Sequence, residues 1–351
     1  MASGSVKLSD IARAAGVSLG TVSNVFSRPE RVRPELRERV NAVAAAMGFS
    51  GPDPAGRLLM GGRANAIAMV PGGDMSVSFA IASPYLSALL LGIAETCDAH
   101  GASLTVVSGA RDSKAWAIRN ALVDGFILGH ADEIAMVRAR QRPVPFVLVD
   151  SSVGDQVNSV VVDGRAGARQ AAEHLLALGH RRFAILAVQR APSPAVWHPP
   201  STTRRELRGS YPLDVAKLAG YAEALEAGGI AIDSVPMLEV YPPMAEEGAQ
   251  RLLDLAPEAT AILAMADRTA IAVLVEAARR GIDVPGRLSV IGFDDVPNAA
   301  LATPPLTTMR QDTLLKGRLA AELLFDQDAP RQHVLGVELV RRGSTAAPPR
   351  N

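Results

Sequence analysis

The chain has 351 residues, two to three times the usual size of one domain, which points to more than one core. Hydrophobic residues make up 48% and charged residues 21%, a soluble globular composition that excludes wholesale disorder. Charge balances overall, 36 Lys and Arg against 36 Asp and Glu, yet residues 1–63 hold nine against five and the remainder 27 against 31. A small basic head on a mildly acidic body hints at nucleic acid, although such a surplus also suits a solvated face. The single cysteine, Cys97, excludes an internal disulfide and a thiolate-rich metal cluster; its helical setting suits a buried, inert thiol. No signal-peptide core and no apolar run near the ~20 residues of a membrane helix is visible, so a cytoplasmic protein with no membrane partner is expected.

In chain order, residues 8–15 read as a short helix with Ser9 as candidate N-cap and Gly16 as its stop. Ser18 caps a second helix over 19–26, with Val22 and Phe26 on one side. Two short helices around a tight glycine turn form a helix-turn-helix unit. A third helix opens at Pro34 and places Leu36, Val40, Val43 and Met47 on one stripe; Arg33 is a poor cap before it. A trihelical unit also serves as a structural or protein-binding module, so its surface must decide. The second helix exposes small polar residues, Ser18, Gly20, Thr21, Ser23 and Asn24, a surface that enters a major groove about 12 Å wide.

The run from Asp10 to Val25, DIARAAGVSLGTVSNV, and its continuation to Phe49 strongly resemble the DNA-binding head of the lac repressor family of bacterial transcription regulators. The resemblance implies that Leu19, Gly20 and Asn24 read bases, and that Ser18, Thr21 and Ser23 contact phosphate or support the helix. Gly20 departs from the long polar side chains of some members, so part of the readout is missing or falls to Leu19, which offers an apolar contact to a thymine methyl. Leu19 as a plain exposed residue is the bland alternative.

Residues 50–63 are linker-like, with two prolines and four glycines. An isolated helix this short is marginal in water, so a flexible tether is one reading. By resemblance it is instead a hinge that becomes helical on the operator, with Leu59 wedged between base pairs of the minor groove and Arg57 and Arg63 on phosphates.

Beyond residue 63, apolar runs at 66–70, 104–107, 125–128, 146–149, 160–162, 183–186, 237–241, 261–265 and 289–293 alternate with helical patterns. This alternation predicts two doubly wound α/β units with parallel sheets, whose ligands bind at the carboxyl ends of the strands. Nearly the whole body resembles the family's effector domain, itself similar to periplasmic sugar-binding proteins; GHRR at 179–182 and GFDD at 292–295 followed by PPLTT are the most specific pieces. The expected fold is therefore an all-α helix-turn-helix head, 1–50, a hinge linker, 51–63, and an α/β periplasmic-binding-protein-like body, 64–351. Within the body the expected subdomains are about 64–162 with 295–326, and about 163–294 with 327–351. One stretch departs from the family: 189–212 holds five prolines and four arginines and reads as a disordered insertion, or alternatively as a lid.

The body carries no phosphate loop, no GxSxG elbow and no His spacing for a metal, and no local sequence completes a site around Asp294 and Asp295. No catalytic residue, metal or cofactor is expected. The resemblance places Tyr85, Asp150, Lys217, Tyr241, Asp267 and Asp294 at or beside effector contacts. Carboxylates, a cation and an aromatic face suit a carbohydrate, whose hydroxyls both donate and accept. Lys217 replaces a more usual arginine and Ala266 a more usual asparagine, and Asp267 is equally suited to a helix N-terminus. The expected protein is a homodimeric repressor whose affinity for a near-palindromic double-stranded operator is controlled by a small molecule, a sugar or its derivative. The alternative is a small-molecule-binding or enzymatic α/β protein with a vestigial head.

Overall fold

The computed structural model describes residues 6–27, 29–49, 63–130, 140–141, 144–153, 157–201, 211–326 and 331–350. The chain divides into two compact units, Met1–Ala64 and Asn65–Asn351.

In the first unit, α1 spans Leu8–Ala15, α2 Leu19–Ser27 and α3 Pro34–Ala46. Ser9 lies inside α1 and does not cap it; Asp10 Oδ2 reaches back to accept the Lys7 N–H at 3.0 Å. Gly16 closes α1 in the left-handed region, φ 63°. Ser18 Oγ accepts the Thr21 N–H at 3.0 Å, which satisfies one of the four orphan donors that open α2. Ile11, Ala15, Val22, Val25, Val40 and Ala44 form the core. Phe26 completes it from the rim, its ring 5.3 Å from that of Phe49.

The second unit holds two sheets. The first has the order β12-β5-β4-β3-β1-β2, all parallel, from β1 Ala66–Val70, β2 Ser103–Val106, β3 Gly125–Gly129, β4 Phe146–Val149, β5 Ser159–Val162 and β12 Gln332–Leu335. The second has the order β13-β11-β10-β9-β6-β8-β7, from β6 Phe183–Val188, β7 Val196–His198, β8 Met237–Val240, β9 Ala261–Ala264, β10 Ser289–Asp294, β11 Thr307–Gln311 and β13 Val337–Val340. Its edge strands β7 and β13 run antiparallel, unlike the five between them. Central strands such as β3 and β6 are buried at every residue because helices cover both faces, hence their unbroken apolar sequence.

The covering helices of the first lobe are α4 Val77–Ala82, α5 Pro84–Ala99, α6 Arg111–Asn120 and, from far along the chain, α12 Thr313–Phe325. Those of the second are α7 Gly164–Ala177, α8 Pro212–Ala227, α9 Ala245–Leu255, α10 Asp267–Arg279 and α11 Pro297–Leu301. Helices α5 and α12 cross backbone to backbone at Gly92 and Gly317, where a Cβ on either would overlap a carbonyl oxygen of the other helix.

The subdomain boundaries differ from expectation at the C-terminal end. Residues 297–311 stay in the second lobe: Ala299 of α11 is in its core and β11 pairs with β10 from Ile291↔Thr307. Only α12 crosses to the first lobe, followed by β12, which pairs with β5 and not with the second sheet. β11 reads TTMRQ and β12 QHVL, neither an apolar run, so their sheet partners were set by tertiary pairing and not by composition. The 189–212 stretch is also more regular than expected, since it contributes β7, paired with β8 from Val196↔Glu239; residues 202–210 lie outside the described residues.

Candidate functional site: a recognition helix and an interlobe cleft

On α2, Val22 and Val25 turn into the head core, which leaves Ser18, Leu19, Gly20 and Ser23 exposed and Thr21 and Asn24 half-buried. Ser18 Oγ also lies 2.9 Å from Thr21 Oγ1, so this pair is committed to holding the first turn of the helix. Leu19 is 54% exposed, unusual for a leucine beside a well-formed core. A Cβ at Gly20 would meet only Ser18 Oγ, at 3.8 Å, so the flat spot is a matter of residue choice and not of packing. Arg57 and Leu59 lie outside the described residues.

In the body, both sheets have the strand order of open α/β folds, whose ligands sit at carboxyl ends near the point where the order reverses. A cleft lies there, with about 820 Å³ of empty space, solvent at its mouth included. The size falls in the range of small-molecule sites, roughly 300–1,000 Å³. Gly72, His130 and Asp150 reach it from beyond β1, β3 and β4, and Met265, Asp294 and Gln311 from β9, β10 and β11. Three of these residues take positive φ, His130 at 40°, Asp150 at 57° and Asp294 at 128°. Non-glycine residues there cost about 1–3 kcal/mol each and collect at functional sites.

Four of the six expected contacts line the cleft: Tyr85, Asp150, Lys217 and Asp294. Asp150 is gripped by Lys316 Nζ at 2.6 Å and by the Tyr85 hydroxyl, which donates to it. Burial pushes the Asp150 carboxyl up, but the Lys316 ammonium and the hydrogen bonds outweigh burial and hold it below its ordinary value. Burial, then the Asp150 charge, push Tyr85 well above its ordinary value, so it stays a donor. Lys217 Nζ donates to the Met265 carbonyl at 2.8 Å and lies 4.3 Å from the centre of the Phe293 ring. Asp294 Oδ1 accepts from Gln311 Nε2 at 2.5 Å, and burial raises its carboxyl to about 6.

The other two do not line it. Asp267 is fully buried, and its carboxylate accepts from Thr308 Oγ1 at 2.5 Å and from the Val296 N–H at 2.9 Å. It ties the start of α10 to the turn after β10 and to β11, a structural clamp. Tyr241 is nearly buried, and its hydroxyl donates to the Asp74 carbonyl at 3.3 Å, a bond from one lobe to the other at the cleft's edge.

Sequence reasoning missed Lys316, Gln311, His130, Asp214, Tyr211 and Arg268. Lys316 had a signal: it shares the buried stripe of α12 with Ala320 and Leu323, where a lysine is out of place. Burial holds His130 down to about 4, so the ring is neutral, and it stacks on Tyr211 of the other lobe with centroids 4.3 Å apart. Arg268 Nε donates to the Pro242 carbonyl at 2.7 Å and spans to the Phe79 ring of the first lobe, 5.4 Å away. No group of three or more His, Cys, Asp or Glu among the described residues is arranged to hold a metal ion.

A helix-turn-helix unit together with a two-lobed body and a cleft that sets a few polar groups among apolar ones defines the class of ligand-responsive DNA-binding proteins. Comparison with known proteins narrows the class. Residues 7–51 match the model of bacterial regulatory proteins of the lacI family, and 172–345 match the periplasmic binding protein-like domain. The chain is 34% identical to the HTH-type transcriptional regulator Rv3575c of Mycobacterium tuberculosis, over 97% of each chain. It is 30% identical to the HTH-type transcriptional regulator CelR of Thermobifida fusca, over 90% of each. Among solved structures it resembles the lac repressor dimer bound to operator and the anti-inducer ONPF, with TM-score 0.78 and 27% identity over 98% of this chain and 100% of that one. It also resembles a CelR–cellobiose complex, with TM-score 0.68 and 27% identity over 97% and 99%. The chain belongs to the lacI family: it is a DNA-binding transcription regulator.

Proposed function

We propose that the chain acts in the cytoplasm as a homodimeric repressor of a near-palindromic operator, and that a carbohydrate in the interlobe cleft sets its affinity for DNA. The observation that carries this reading is the cleft itself, where the first lobe presents Asp150 and the second presents Asp294, Gln311 and Lys217. Such groups exchange hydrogen bonds with a polyol, and each lobe contributes, so a ligand alters how the lobes meet. The relative solved with cellobiose supports the ligand class, and the lac repressor dimer on its operator supports the two-fold partnership. Ser18, Leu19, Gly20, Thr21, Ser23 and Asn24 form the base- and phosphate-facing surface, with Arg57 and Leu59 completing it from the hinge. Tyr85, Asp150, Lys217 and Asp294 hold the effector. We read the protein as a binding protein and not an enzyme, because Asp150 and Asp294 of the cleft are engaged by lysine, tyrosine and glutamine. Among those residues no helix is long and apolar enough to cross a membrane.

Genomic fragments selected by the purified full chain test the proposal. A two-fold-related sequence is expected, bound on the order of 10³-fold more tightly than random DNA and shifted in affinity by a carbohydrate. Binding without sequence preference, or an affinity indifferent to every carbohydrate tried, overturns it.

A further inference from the structure

The stretch that carries β7 begins at Gln189, just after β6, and ends at Pro212, the first residue of α8. A residue before proline is pushed toward extended backbone, and Tyr211 takes φ −69° and ψ 148°. Tyr211 is 2% exposed, and its hydroxyl donates to the Arg190 carbonyl at 3.2 Å, which ties the two ends of the stretch together. The Arg190 guanidinium lies 5.7 Å from the centre of the same ring.

Both ends bear on the other lobe. The Tyr211 ring stacks on His130, with centroids 4.3 Å apart and planes at 29°. His130 closes β3 at φ 40°, a strained backbone that persists only where its surroundings over-determine it. Gly73, in the turn after β1, faces the Tyr211 hydroxyl and the Arg190 carbonyl so closely that a Cβ there would overlap both. Its φ of 64° also favours glycine. The turn is braced from within its own lobe, where the buried Lys114 Nζ donates to the Gly73 carbonyl at 2.6 Å. One residue on, the Asp74 carbonyl accepts from the Tyr241 hydroxyl at 3.3 Å. A turn of the first lobe is thus held between its own lysine and two tyrosines of the second.

We propose that Tyr211 is the catch of a clasp that holds the two lobes closed, a positioning residue for ligand control that acts without touching the ligand. Every contact of the clasp runs between the protein's own atoms, so part of the closure is supplied before an effector binds. Apparent affinity scales with the fraction of protein already in the competent arrangement, and the clasp sets that fraction. The inference concerns the lobes and not the chemistry of the ligand, so it stands apart from the carbohydrate reading. The plainer role for Tyr211 is as a core residue of the second lobe, whose buried apolar cluster it joins. The two roles differ in where damage appears: a core residue serves its own lobe, a catch serves the opposite one.

Hydrogen exchange of the full chain without added sugar, read by mass spectrometry, tests the clasp. In the first lobe the Gly109 N–H donates to the Met75 carbonyl and the His130 N–H to the Val149 carbonyl, so both amides report on the gripped turn. Tyr211→Ala is expected to speed exchange at both by about tenfold, and Tyr211→Phe, which keeps the ring, to stay within about threefold of the parent. Because Tyr211→Ala also leaves a cavity in the second lobe, His130→Gly supplies a variant on the other side, with a residue that suits positive φ. It should speed exchange of the Asp214 and Val215 N–H groups, which donate to the Tyr211 carbonyl. Parent-rate exchange in the opposite lobe of either variant overturns the clasp, whatever happens to the melting temperature. Should Tyr211→Ala speed exchange throughout the chain, His130→Gly alone decides.

Discussion

Lys316 is fully buried, and three acceptors surround its ammonium: Asp150 Oδ1 at 2.6 Å, Gln311 Oε1 at 2.6 Å and the Tyr85 oxygen at 3.1 Å. Removing one partner of such a pair strands the other charge, at about 3–5 kcal/mol. Lys316→Met is therefore expected to lower stability by about that amount in denaturant unfolding, and Lys316→Met with Asp150→Asn to recover most of the loss. Asp294 is placed differently, because it is itself only half-buried and its partner Gln311 is an uncharged amide. Asp294→Ala is expected to keep operator binding in the absence of ligand while the ligand response falls by about 2–3 kcal/mol, the scale of a charged hydrogen bond. Anisotropy titrations of labelled operator with and without effector read both quantities; a parallel loss of DNA binding and melting temperature would instead make Asp294 structural. By linkage, a ligand that no longer distinguishes two states cannot shift DNA affinity.

The same carboxylates give the body a pH signature. Asp214, raised to about 6 by burial and by the Asp294 and Asp150 charges against the pull of Lys217, holds its proton more tightly folded than unfolded. The folded state then loses stability as pH climbs from about 4, the unfolded value, to about 6. His130 is held down to about 4 and acts in the opposite sense over much of that window, favouring folding as pH rises. The difference between Asp214→Asn and the parent isolates the aspartate: it should be small near pH 4.5, grow through pH 6 and level off above. Melts at stepped pH measure it, and a difference that stays flat contradicts the assignment.

Among the elements, α2 carries the proposed sequence-reading surface on one side and the head's core on the other. Asn24 stands between Ser23 and the buried Val25, half-buried at the margin of the exposed face. Asn24→Ala should cost about 1–3 kcal/mol on the cognate operator and less on random DNA. Equal losses on both would make Asn24 a phosphate contact. β7 extends the second sheet at its edge while Trp197 packs against the core of that lobe. Val196–His198 adds an antiparallel edge to the second sheet, where His198 Nε2 lies 2.5 Å from Glu239 Oε1. At the other end of the stretch, the Tyr211 hydroxyl donates to the Arg190 carbonyl at 3.2 Å, and the Tyr211 ring stacks on His130 across the cleft.

For the whole molecule, the two lobes are joined by three passages of chain, after β5, between β11 and α12, and between β12 and β13. Gln311 and Lys316 flank the second passage and bond directly, so a ligand that moves Asp294 or Asp150 acts on the segment that links the lobes. In the proposed function, transmission to DNA falls to the hinge. Leu59→Ala should weaken operator binding and reduce the bend while ligand binding stays unchanged, because an inserted wedge acts only in the complex. Bend-dependent gel mobility reads this, and an undiminished kink sinks the wedge role.

The sequence by itself determined the helix-turn-helix, through Gly16, the Ser18 cap and the apolar spacing of α2 and α3, because caps and helical periodicity are local physics. It also determined the βα alternation of the body, since strands covered on both faces must be apolar throughout. Asp150 and Lys217 were assigned to the effector by family resemblance and not by local pattern, while the strand reading also set Asp294 at a carboxyl end. Tertiary structure alone decided the rest. It sent Asp267 inward, because Thr308 and the Val296 N–H, both distant in sequence, converge on its carboxylate. It moved β11 and β12 to sheets their composition did not announce. It also brought Lys316 to Asp150 across 166 residues and left Asp214 Oδ2 without a partner among the described residues. Charge pairing and its absence are properties of three-dimensional neighbours, and no local window of sequence contains them.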